Sequence, residues 1–398
     1  VTVPKVEVGF SGPGVDSSFK LDSSTRGILG TARLGPVDTL VDLSNRLVAI
    51  QVERGKNELT SPMSAGRAAV TLRNRDGALD PLNTASIYYP GVEPRRSVNI
   101  YADGNQVFAG FVDSIDLDYG PGGQADVTIV ATDGLARMGQ ATFGTAGLTV
   151  SAEDSGSRIE TVIASDTSYW SGGTAVDTGD STLAAGTATG NVLSYLQQVE
   201  RSEGGLLFSG RSGNLEFRDR NYGAENPTSL TLSDAGSGIP YQLMARVSGD
   251  ADFYNRVVAS IADVEYEADN TDSQSDYGLR VLDLSTLLLD GGEQDRVDWE
   301  LERRGRLIPT VRAVEVFQTV TAATAVLPLE LGDRLDIIFT PPGVSQLTQD
   351  SVVVRVGHRW VDGEPWRTVI GVRSIEQDPF FVLDDATLGQ IGVGRLAF

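Results

Sequence analysis

Along much of the chain, apolar residues recur at every second position in short runs, the period of a strand with one buried face. Runs of this kind cover residues 46–52, 68–72, 98–101, 107–119 and 126–130. In the fourth, Ile115, Leu117 and Tyr119 point one way while Asp116 and Asp118 point the other, as in a strand with one wet face. Asp76-Gly77, Asp103-Gly104 and residues 120–123 supply turns between the runs.

The period changes between about 139 and 234. Ser157 and Glu160 have the spacing of a capping box ahead of Ile159, Val162 and Ile163, which predicts a short helix. Asn191 caps a second, with Leu193, Leu196 and Val199 on one face and Gly204-Gly205 as its stop. A hairpin of 206–209 with 214–218 follows, so this block is α+β. A second β region opens at 255–261, broken by a polar loop at 269–276 and a helix over 293–306. That helix carries Val297 and Leu301 on its face. Its pairs Glu300–Arg304 and Glu302–Arg306 read as surface ion pairs, worth about 0.3–0.5 kcal/mol each. Pro309 ends the continuation. The clearest hairpin pairs 352–361 with 366–372 through Asp362, Gly363, Glu364 and Pro365.

The chain therefore divides into an extended arm over 1–35, a β domain over 36–138, an α+β domain over 139–240, a second β domain with one helix over 241–376, and a tail over 377–398. At 398 residues it exceeds what one core organises.

Charge and composition remove several chemistries. The 54 acidic against 32 basic residues leave a net charge of −22, and no basic stripe stands out, which disfavours tight nucleic-acid binding. Zero cysteines exclude disulfides and thiolate chemistry, and the single His358 excludes metal sites that need two imidazoles. His358 shares a strand face with Val352, Val354 and Val356 and reads as structural. Trp170, Trp299, Trp360 and Trp366 read as core or interface packing. Ser17 and Lys20 have S-x-x-K spacing without companion motifs, and Asp269, Asp272 and Asp276 fail the calcium-loop pattern. No catalytic, cofactor or metal site is predicted, and the chain reads as a non-enzyme. No apolar run of about 18 residues appears, so membrane insertion is not expected, and the start lacks a signal-peptide pattern.

One internal repeat is visible. Residues 19–34 align without a gap on 381–396. Phe19, Leu21, Asp22, Thr25, Gly27, Gly30, Arg33 and Leu34 are matched by Phe381, Leu383, Asp384, Thr387, Gly389, Gly392, Arg395 and Leu396. Two glycine-bearing copies too short for a core imply one backbone shape used twice, and both are expected to dock on another surface.

Residues 66–112, GRAAVTLRNRDGALDPLNTASIYYPGVEPRRSVNIYADGNQVFAGFV, resemble the minor tail proteins of siphophages infecting actinobacteria. The likeness lies in the NRDGALDPLN turn, the Tyr88-Tyr89-Pro90 exit and the strand with Phe108, Gly110, Phe111 and Val112. The 204–220 segment resembles the hairpin in the α+β domain of baseplate-hub proteins, and 272–280, 329–337 and 354–372 resemble their second barrel. The resemblance implies two hub-type β-barrel domains flanking the α+β domain and a homotrimer that gives six similar units around an axis. It implies a place at the virion tail tip, reached by assembly in the host bacterial cytoplasm. The distal tail ring, the central fibre and peripheral minor tail proteins would be partners, and DNA only passing cargo. A distal-tail ring protein is the alternative, with a tail-associated cell-wall hydrolase behind it.

Overall fold

The computed structural model describes residues 2–10, 39–56, 62–121, 125–236, 238–249, 252–319 and 321–375. The repeated segments 19–34 and 381–396, and with them every predicted docking residue, lie outside the described residues, as do Ser17 and Lys20.

The alternating runs form one mixed sheet of fourteen strands. Its main path runs Ile239–Pro240, Leu230–Ser233, Arg334–Phe339, Leu347–Val361, Leu47–Gly55, Ser64–Arg73, Ala125–Thr132, Asn105–Tyr119, Ser97–Ala102, Pro4–Phe10, Thr39–Asp42. A branch leaves Leu347–Val361 through Arg367–Ser374 to Thr310–Phe317 and Leu243–Val247. Two hub-type β-barrel domains were the expectation from resemblance; among the described residues the two β regions instead merge into this single sheet, with no closed barrel. The merger happens on one strand. Residues 347–352 pair with Arg334–Phe339 and residues 355–361 pair with Leu47–Gly55, while Arg367–Ser374 occupies the opposite edge. Gly55 sits where one partner hands over to the other, at φ +111°, and a Cβ there would lie 2.3 Å from the Val354 carbonyl oxygen. Only glycine fits.

Pro4–Phe10, read from sequence as part of an extended arm, is a paired strand of this sheet between Ser97–Ala102 and Thr39–Asp42. Val6, Val8 and Phe10 enter a core with Ile50, Val70, Ile100, Phe108 and Ile129. Trp366, fully buried and distant in sequence, packs into the same core.

The described residues form six helices, α1 Gly134–Met138, α2 Ser155–Ser165, α3 Val192–Glu203, α4 Tyr222–Glu225, α5 Thr271–Tyr277 and α6 Glu293–Arg304, of which α1, α2, α3 and α6 supply the second core. Asn191 caps α3 as predicted, accepting from the Ser194 amide, and Gly204 ends it at φ +81°. The cap of α2 is Asp154 rather than Ser157, whose amide is the donor. Residues 271–277, expected as loop, form α5 with Asn270 as cap. Three-stranded sheets at Thr174–Val176, Leu215–Arg218 and Leu206–Ser209, and at Val264–Asp269, Arg256–Ile261 and Val281–Leu287, flank these helices. The Glu300–Arg304 pair is not a surface ornament: both side chains are buried.

Candidate functional site: a rigid loop and an arginine-walled cavity

The NRDGALDPLN segment is a loop locked by its own polar side chains. Asn74, fully buried, accepts from the Leu79 amide at 2.9 Å, Asn83 donates to the Gly77 carbonyl at 2.9 Å, and Ser86 donates to the Ala78 carbonyl at 2.6 Å. Tyr119 donates to Asp80 at 2.6 Å. Arg46 forks onto Asp76 at 2.7 and 2.6 Å, and that hydrogen bonding holds the Asp76 carboxyl down at about 2. Tyr88 stacks on Phe10 with ring centroids 4.7 Å apart. The loop presents Leu82 (87% exposed), Ile87 (59%) and, beside Asp80, Tyr119 (65%) to solvent. Apolar side chains held out by a rigid, hydrogen-bonded loop suit contact with another protein.

A second feature lies where α3, α6 and the junction strand meet: a cavity of about 120 Å³. Eight basic side chains line it: Lys56, Arg201, Arg218, Arg220, Arg296, Arg303, Arg304 and Arg373. Four acidic ones join them, Glu200, Asp219, Asp283 and Glu300. Glu300 accepts from Arg296 at 3.0 Å and from Arg304 Nε, with Arg303 at 3.8 Å. Burial would raise the Glu300 carboxyl; the guanidiniums of Arg304, Arg303 and Arg296 outweigh it and hold the group well below the usual carboxylate range. Arg296 is pushed down by burial, against the pull of Glu300. It also donates to the carbonyls of Ser202 and Arg201, each at 3.2 Å, so it caps the C-terminus of α3. Gly204 makes this approach possible, because a Cβ there would stand 2.9 Å from Arg296 Nη2. Asp219 is pushed up to about 6, first by burial and then by Asp180.

Other predicted candidates are structural. His358 is 2% exposed, with Thr368 Oγ1 at 3.1 Å from Nδ1 and Trp366 Nε1 donating to Nδ1 at 3.3 Å. Trp170, Trp299 and Trp366 are buried, and Trp360 packs against the first core. Asp269 pairs with Arg256 at 2.6 Å. Among the described residues there is no group of three or more His, Cys, Asp or Glu placed to hold a metal, and no helix long and apolar enough to cross a membrane. Sequence reading missed the cavity, because its arginines come from segments up to some 170 residues apart and share no spacing.

No protein-family profile and no curated protein matches the sequence. Among solved structures, the 43 kDa tail protein of prophage MuSo2 from Shewanella oneidensis superposes with a TM-score of 0.60 at 13% identity, covering 95% of this chain and 100% of that one. A tail protein from Neisseria meningitidis MC58 gives 0.60 at 10% identity, covering 95% and 98%. The chain has the fold of these tail proteins. At such identities the fold is what is shared.

Proposed function

We propose that this chain is a structural protein of a bacteriophage tail tip, a baseplate-hub subunit that joins the tail tube to fibre and receptor-binding proteins. The single observation that carries this reading is the likeness, over 95% of the chain, to two tail proteins, one of them from a prophage. The loop supports it, since it leaves Leu82, Ile87 and Tyr119 exposed, a surface that suits contact with another protein. In this reading three copies close a ring around the axis, related by one interface type, and the repeated segments 19–34 and 381–396 dock on neighbouring tail proteins. The net charge of −22 then acquires a use: an acidic channel wall repels the DNA backbone and lets it slide through.

A reconstruction of the virion tail tip tests the reading. Three copies per tip are expected, with Leu82 and Ile87 against a neighbouring chain and the channel lined by more Asp and Glu than Lys and Arg. Six copies in a ring next to the tube would favour the distal-tail alternative, and absence from the virion would end both.

A further inference from the structure

We propose that the arginine-walled cavity between α3, α6 and the junction strand is a binding site for a small phosphate-class oxyanion. This inference stands on the cavity alone and does not depend on the tail-tip reading.

The first argument is charge. In a chain with a net charge of −22, this wall carries eight basic against four acidic side chains. Three guanidiniums gather around the buried carboxylate of Glu300, while Lys56 pairs with the equally buried Glu200 at 2.8 Å. Guanidiniums gathered in this way present a concentration of N–H donors to an anion that enters.

The second argument is how the wall is held. Carboxylates that do not line the cavity grip its arginines: Glu216 holds Arg218 at 2.9 Å, Asp180 and Glu203 hold Arg220 at 3.4 and 3.6 Å, and Asp252 holds Arg304 at 3.9 Å. Together with the acids of the wall they offset its basic side chains, and they also fix the planar forks in place before any ligand arrives, so that the site offers an anion fixed donors rather than net charge. Arg201 lines the cavity with no ion-pair partner among the described residues.

The third argument is size. About 120 Å³ corresponds to some four waters at roughly 30 Å³ each. Sites for larger organic ligands run from about 300 Å³ upward. A tetrahedral oxyanion fits such a space. Once bound, the anion bridges α3, α6 and the 218–220 segment, and so ties the middle block to the junction strand.

The test uses the full chain. Thermal melting and calorimetric titration are run with inorganic phosphate, with chloride at matched ionic strength, and with ATP as a carrier of a terminal phosphate. Phosphate is expected to raise the melting temperature saturably where chloride does not. Arg201→Gln is expected to leave the phosphate-free melting temperature unchanged and weaken phosphate binding about tenfold, the scale of one charge-assisted hydrogen bond. Arg303→Gln should weaken it likewise; should that variant fail to fold, Arg201→Gln decides. ATP that competes with phosphate assigns the site to terminal phosphates, and ATP that does not compete assigns it to the free ion. A response to phosphate no larger than to chloride, or equal responses of wild type and Arg201→Gln, overturns the proposal.

Discussion

His358 is the chain's one imidazole, and its surroundings decide its protonation. Trp366 donates to Nδ1, which places the ring proton on Nε2, and burial, with Arg54 nearby, pushes the group down to about 3. A basic group depressed in the folded state contributes stability that is present above its unfolded value of 6.5 and is lost as pH falls toward 3, at about 1.4 kcal/mol per pH unit. Asp133 slopes the other way. Burial raises it from 3.8 to about 7 although it accepts from the amides of Gly66 at 2.7 Å and Leu135 at 2.9 Å. Its folded form holds the proton more tightly, so its contribution falls as pH rises from 3.8 to 7. Over most of the same window the two slopes offset each other, which makes overall stability a poor reporter of either. The imidazole resonance is a clean one: it is expected to stay in its neutral position from pH 8 to pH 5, and a titration midpoint near 6.5 would contradict the buried, neutral ring.

At the scale of elements, α6 separates what sequence spacing reveals from what it hides. Its extent was legible, because Val297 and Leu301 mark the face and Pro309 marks the end; the observed helix, Glu293–Arg304, stops two residues short of the expectation. Its chemistry was not. Glu300 and Arg304 four residues apart look the same whether the face meets water or protein, and here Arg296, Glu300 and Arg304 are all at most 5% exposed. The α2 cap shows the same ambiguity at smaller scale: Asp154 and Ser157 are both good caps, and only the direction of the hydrogen bond, Ser157 amide to Asp154 at 2.7 Å, separates them. Since Glu300 is the carboxylate shared by the three arginines of α6, Glu300→Gln is expected to destabilise the fold by roughly 3–5 kcal/mol, the cost of breaking a buried ion pair from one side. Urea denaturation at neutral pH measures it. A loss below about 1 kcal/mol, the range of exposed pairs, would mean that the cluster is solvated.

For the whole molecule, local alternation identified the strands but not their partners. The 352–361 and 366–372 hairpin was readable because a four-residue turn joins its strands, and it is present as Leu347–Val361 with Arg367–Ser374. The pairing of residues 355–361 with Leu47–Gly55 joins segments some 300 residues apart. No period in either segment encodes it, and the one local trace is Gly55, whose need for positive φ appears only when its partner is in place. For the same reason the sequence could suggest two separate β domains where the strands form one sheet. The two repeated segments lie outside the described residues, and the role of the second is testable by truncation. The described fold closes at Ile375, whose amide donates to the Asp350 carbonyl at 3.1 Å. Removing residues from Asp378 onward takes away Phe381, Leu383, Asp384, Gly389, Gly392, Arg395 and Leu396 and none of the pairings described above. The truncated chain is therefore expected to melt within a few degrees of the full chain and yet to be lost from assembled tails. Complementation of a deletion phage, followed by a count of the protein in purified particles, reads this directly. Truncated protein present at the normal copy number would show that the segments serve the chain itself and dock on nothing else.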